Sequence, residues 1–183
     1  MKKSMKSAMK AAAMMLMATV MTVGMASCTN DDDDQATAKK YTGAEVTISV
    51  SPATDAKEIA ETTLEYTDEN GQTKTKTAMG GLLTATVKFS TLPANMNITL
   101  KQTEMSGAVI IKDKYELGAT VKVTTTGYCG NLPGTLTKYN DEYLTKSYAR
   151  EDLPNFFKKT HILKKTLTIQ TTGDGTSFTT KLL

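Results

Sequence analysis

Leu83-Thr84-Ala85-Thr86-Val87-Lys88-Phe89 alternates apolar and polar side chains without a break. Successive side chains of a strand point to opposite faces, so Leu83, Ala85, Val87 and Phe89 face a core while Thr84, Thr86 and Lys88 face water. The same period recurs on both sides of this stretch. Upstream, Val46, Ile48 and Val50 alternate with Thr47 and Ser49, and Leu64 and Tyr66 share a face with Thr62. Glu69-Asn70-Gly71 is a turn signal, and it leads into Gln72–Thr77, where Thr and Lys alternate and no apolar face exists. That return strand reads as a sheet edge, blunted against strand addition by Lys74 and Lys76. Downstream, Pro93 ends the central strand. Met96, Ile98 and Leu100 predict the next one, Val109–Ile111 another, and Ala119, Val121 and Val123 another. Leu167 and Ile169 pair through Gly173-Asp174-Gly175 with Phe178 and Leu182. Threonine dominates the outward positions, where a β-branched side chain suits a half-buried pleat.

One region departs from this rhythm, Gly127–Lys165. It predicts a long insertion without strands, with a short helix inside it before the last two strands. Asp152 stands at the N-cap, Pro154 in the first turn, and Leu153, Phe156, Phe157 and Thr160 on one face. The segment also gathers Tyr128, Tyr139, Tyr143, Tyr148, Phe156 and Phe157. Tyrosine offers a flat apolar face and a polar tip, so the four tyrosines are candidate ligand contacts for a glycan or a peptide, and the two phenylalanines are candidate core. The strand spacing as a whole predicts a mainly β chain: an antiparallel β-sandwich of immunoglobulin-like type over residues 41–183. The chain has no Trp, so that expectation rests on spacing alone.

The residues that do chemistry are sparse. His161 is the only histidine, which excludes a metal site built from several imidazoles. No Gly-rich phosphate loop follows a strand and opens a helix. Gly127-Tyr128-Cys129-Gly130 flanks a thiol with glycines, but the sequence identifies no base for it. The acidic pairs Asp68-Glu69, Asp141-Glu142 and Glu151-Asp152 read as turn or cap residues before they read as a hydrolytic pair. Asp174, between two glycines, reads as a turn residue. These observations predict no catalysis, no cofactor and no metal.

The N-terminus carries a different kind of information. Lys2, Lys3, Lys6 and Lys10 precede an apolar stretch from Ala11 to Ala26, which ends in the small pair Ala26-Ser27 before Cys28. A basic head, a short apolar run and small residues at its end make a secretory signal. The run is shorter than the ~20 residues that span a bilayer, and Thr19 and Thr22 interrupt it. Eight of the 11 methionines lie before Cys28 and keep that segment apolar and pliable. Asp31-Asp32-Asp33-Asp34 follows, then a small polar linker to Lys40. Met25-Ala26-Ser27-Cys28 resembles the lipobox of bacterial lipoproteins, with Met where Leu, Val or Ile is usual. With the acidic run behind it, the segment resembles the export signal of Bacteroidota-type surface lipoproteins. The resemblance covers about the first 35 residues. It implies cleavage after Ser27, a thioether lipid on Cys28, anchoring in the outer membrane and display on the cell surface, with a periplasm-facing lipoprotein as the alternative. The expected organisation is a signal over 1–27, an acidic tether over 28–40 and one domain over 41–183. If Cys28 carries lipid, Cys129 has no intrachain partner and is expected as a buried thiol.

Charge agrees with an extracellular domain that ignores nucleic acid. The whole chain has 22 Lys and Arg against 19 Asp and Glu. Without the four signal lysines the balance is 18 against 19, and without the four tether aspartates as well it is 18 against 15. A mildly basic domain lacks the clustered charge that phosphate backbones require. The aspartates would be repelled by an anionic membrane and hold the domain away from it. The expected function is a lipid-anchored, non-catalytic binding module for a glycan, a peptide or a partner surface protein. A structural or adhesive subunit that associates through a sheet edge is the first alternative. A small hydrolase using residues 127–165 is the second.

Overall fold

The computed structural model describes residues 40–183. Cys28 and Asp31–Asp34 lie outside the described residues. The chain is mainly β, as its period-2 pattern predicts. In order it forms β1 (Gly43–Pro52), α1 (Ala56–Ile59), β2 (Ala60–Thr67), β3 (Thr73–Met79), β4 (Leu83–Phe89), β5 (Ala94–Glu104), β6 (Lys114–Leu117), β7 (Ala119–Cys129), β8 (Leu132–Tyr143), β9 (Lys146–Ala149), α2 (Leu153–Phe157), β10 (Leu163–Thr171) and β11 (Phe178–Leu182). A 3-10 turn over Arg150–Asp152 leads into α2.

The strands make a four-stranded sheet in the order β4-β1-β7-β8 and a five-stranded sheet in the order β11-β10-β5-β2-β3, and every pairing is antiparallel. Apolar side chains from both sheets share one core. Val46, Ile48, Val50, Val121 and Val123 pack from the first sheet, with Leu64, Ile98, Leu100, Leu167 and Ile169 from the second. β1 and β2 fall in different sheets, whereas the first two strands of an immunoglobulin constant domain share one. The β2–β3 hairpin turns at Gly71, whose φ of 74° suits a residue without Cβ. Asp68 builds that turn by accepting from the backbone N–H groups of Asn70 and Gln72 at 3.0 and 2.9 Å. β3 is the edge that its Thr–Lys alternation predicts, and Lys76 Nζ caps the carbonyl of Thr84 on β4 at 2.5 Å.

Two expectations are corrected. Val109–Ile111 is not a strand. Val109 and Ile111 are 71% and 73% exposed, and only Ile110 turns inward against buried neighbours. Three apolar residues in a row gave the signal of a buried strand, but the short strand here is β6, four residues long and too brief to show a period. The second correction is larger. Gly127–Lys165 is not a strandless insertion: β7 continues to Cys129, and β8 runs twelve residues back along it. The expected helix exists but is short. Leu153 and Phe156 are buried, Phe157 is partly buried, Thr160 is exposed beyond its end, and Asp152 makes no side-chain cap.

The two ends of β1 are covered differently. At the Gly43 end of β1, Tyr41 is buried edge-on against Phe178, with ring centroids 5.3 Å apart. A Cβ at Gly127 or at Gly134 would run into the Tyr41 ring, so the β7–β8 hairpin needs both glycines to admit it. At the Pro52 end, roughly 30 Å away by the rise of a ten-residue strand, α1, β6, β9 and α2 close over a second small core. Ile59, Tyr115, Leu117, Leu153 and Phe156 fill it. Asp55 latches this cap by accepting from Lys112 Nζ at 2.7 Å and from the Glu116 backbone N–H at 2.6 Å. Those bonds hold its carboxyl below the usual carboxylate range and hold the Lys112 ammonium above its own. Among the described residues, no helix is long and apolar enough to cross a membrane.

Candidate functional site

The pairing of β7 with β8 decides where the tyrosines go. Leu136 is buried in the core, while the hydroxyl of Thr137 meets that of Thr126 at 3.3 Å on the outside. Alternation from there sends Tyr139, Asp141 and Tyr143 outward and Asn140 and Glu142 inward. Tyr139 and Tyr143 are 72% and 74% exposed. Tyr128 emerges on the same face from β7. Its hydroxyl donates to Glu45 Oε2 at 3.1 Å, and the Lys88 ammonium sits 5.6 Å from its ring centre. Three of the four candidate tyrosines thus share the outer face of the four-stranded sheet. Tyr148 does not join them. It packs on Phe156 in the cap, with centroids 4.8 Å apart and the Lys159 ammonium 5.4 Å from its ring.

The surface between the tyrosines is hydroxylated and charge-balanced. Thr47 on β1 faces Thr124 on β7 and Thr86 on β4, and the Thr47 and Thr86 hydroxyls are 3.3 Å apart. Lys122 on β7 stands directly opposite Asp141 on β8, and Lys88 Nζ lies 3.8 Å from Glu45 Oε2. The sequence expectation missed Glu45, Lys88, Lys122 and Asp141 as members of one face. Parity already turns Lys88 outward in the sequence, but that the four share one face follows from the sheet order β4-β1-β7-β8, and Asp141 joins it only once β8 is known to pair with β7.

The remaining candidates have structural partners. Glu69 accepts from the backbone N–H of Ser90 at 2.7 Å and from its hydroxyl, and these bonds hold its carboxyl low. At Asp68, partial desolvation pushes the carboxyl up, but bonds from Gln72, Lys74 and Asn70 outweigh it and hold the group low. Glu142 points inward to Lys165 Nζ at 2.7 Å, away from Asp141. Asp174 is held low by the Thr176 backbone N–H and hydroxyl and by Thr172, as a turn residue is. His161 is exposed, with Nδ1 at 2.9 Å from the Thr160 hydroxyl. Cys129 is buried, as expected. Among the described residues, no group of three or more His, Cys, Asp or Glu could hold a metal ion.

Two shallow recesses of about 490 Å³ each lie off the tyrosine row. One is on the outer side of the five-stranded sheet, between Glu65, Asn97, Thr99 and Lys164. The other lies beside the β2–β3 turn, between Asp68, Lys74 and Lys88. Neither gathers two carboxylates across a cleft with a third group to orient them. Compared with protein-family models, with curated proteins and with solved structures, the chain matches none.

Proposed function

We propose that this protein is a surface-displayed lipoprotein, anchored in the outer membrane through Cys28 and exported by Asp31–Asp34, that binds an extracellular glycan, peptide or partner protein and performs no chemistry. The observation that carries the binding reading is the placement of Tyr128, Tyr139 and Tyr143 on one outward sheet face. Exposed aromatic rings on a rigid scaffold are costly to leave wet and are enriched where proteins meet ligands. The non-catalytic reading is supported by the acids, which build turns or pair with lysines instead of converging. The described chain begins beside Tyr41, at the end opposite the cap, which is compatible with a tether on that side.

A glycan and peptide array probed with the full-length protein in mild detergent tests this reading. Binding that falls in Tyr139→Ala and Tyr143→Ala with an unchanged melting temperature supports it. Binding that ignores both substitutions overturns it. A second reading, an assembly subunit, has its own support in the exposed Val109 and Ile111 at the cap end. It predicts self-association that Val109→Lys abolishes.

A further inference from the structure

We infer that the tyrosine face takes an extended, uncharged polysaccharide chain laid along the strands, an inference that rests on the binding reading above and supplies its ligand class. Spacing is the first ground. Tyr139 and Tyr143 are four residues apart on one face of β8, so their Cα atoms stand about 13 Å apart by the rise of a strand. Tyr139 pairs with Thr124, and Tyr128 lies four residues beyond Thr124 on β7, past a bulge, so the row continues across the sheet. Rings repeated along a flat, open face suit a long polymer with repeating flat faces. A compact ligand needs enclosure instead.

Charge is the second ground. Lys88 is beside Glu45, and Lys122 is opposite Asp141, so the face presents pairs rather than a field of one sign. A charged polymer would find no excess of opposite charge, whereas an uncharged one meets no penalty for that balance.

Hydroxyls are the third ground. Thr47 with Thr86 and Thr126 with Thr137 make long mutual contacts of 3.3 Å. A hydroxyl donates once and accepts twice, so each can exchange its neighbour for a sugar hydroxyl and keep its bonding satisfied. A protein partner would want a desolvated apolar centre, and the middle of this face is Ser49, Thr47 and Thr124.

Affinity electrophoresis of the full-length protein in nonionic detergent tests the inference. The gels contain hydroxyethyl cellulose, galactomannan, amylopectin or arabinoxylan, with polygalacturonate as the anionic control. At least one neutral polymer should retard the protein while polygalacturonate does not. Tyr139→Ala and Tyr143→Ala should each raise the apparent Kd roughly tenfold, and Tyr139→Phe should keep affinity. No retardation by any neutral polymer, or retardation by polygalacturonate alone, overturns the polysaccharide class. If a peptide or a second copy of the chain then binds in a Tyr139-dependent way, the face stands and only its ligand was wrong. Retardation unchanged in Tyr139→Ala and Tyr143→Ala overturns the face itself.

Discussion

Gln102 holds both polar groups of Gly118: the Gly118 N–H donates to Oε1 at 2.9 Å, and Nε2 donates to the Gly118 carbonyl at 3.1 Å. Nε2 also donates to the Thr62 hydroxyl at 3.1 Å, and Gly118 O accepts a second bond from the Ala53 N–H at 2.9 Å. One buried amide therefore ties the five-stranded sheet to the corner where β6 turns into β7. Gly118 has φ of 100°, and a Cβ there would strike the Leu144 carbonyl, so the corner needs both the glycine and its clamp. Gln102→Leu strands a buried N–H and should cost about 2–3 kcal/mol of stability in urea unfolding. Thr62→Val removes the acceptor of one of the two Nε2 hydrogens and leaves both Gly118 bonds in place, so it should cost less.

Register gives a second test. Val121 is buried and Lys122 is exposed, one residue apart on β7. Val121→Asp buries an unpaired charge and should cost about 3 kcal/mol or more. Lys122→Asp faces Asp141 and should cost about 1 kcal/mol or less, from like charges across a solvated pair. Equal losses by thermal melting would mean the faces are exchanged.

The Asp55 latch gives a pH dependence. Its folded pKa lies below its unfolded value, so its contribution is present above about pH 4 and is lost as pH falls through the lowered pKa. Asp55→Asn should melt lower than the parent at pH 7. The gap between the two should narrow below pH 4, measured by melting from pH 7 to pH 2.

The anchor is tested by chemistry at one sulfur. A thioether lipid and a disulfide exclude each other at Cys28. Mass spectrometry of the mature N-terminal peptide should find the lipid-modified cysteine, and Cys28→Ala should leave the membrane fraction. A peptide linking Cys28 to Cys129 would contradict the anchor. Replacing Asp31–Asp34 with alanine should keep the lipid and reduce access of external protease in intact cells.

How legible the fold was depended on what each strand buries. β4 and β1 alternate Val, Ile, Leu, Ala and Phe with Thr and Lys, so their faces could be read from the chain alone. β8 could not. As an edge strand it turns Gly134, Leu136, Lys138, Asn140 and Glu142 inward, and only one of these is a large apolar residue. Lys165 from β10 meets Glu142, and Thr180 from β11 meets Asn140, so that edge is closed by polar pairs rather than by a hydrophobic stripe. The tyrosines were identified by composition, but their shared face follows from strand parity, which the missing β8 concealed. Tyr148 was grouped with them for the same reason and belongs to the cap.

The most direct measurement compares binding with melting in Tyr139→Ala and Phe156→Ala. Tyr139 is exposed on the proposed face, and Phe156 is buried in the cap. Tyr139→Ala should weaken ligand binding by roughly 1–2 kcal/mol at an unchanged melting temperature. Phe156→Ala should lose about 3 kcal/mol or more of stability and, below its melting transition, bind as the parent does. Equal binding in Tyr139→Ala and the parent, or a loss of stability with no selective loss of binding, would contradict the account.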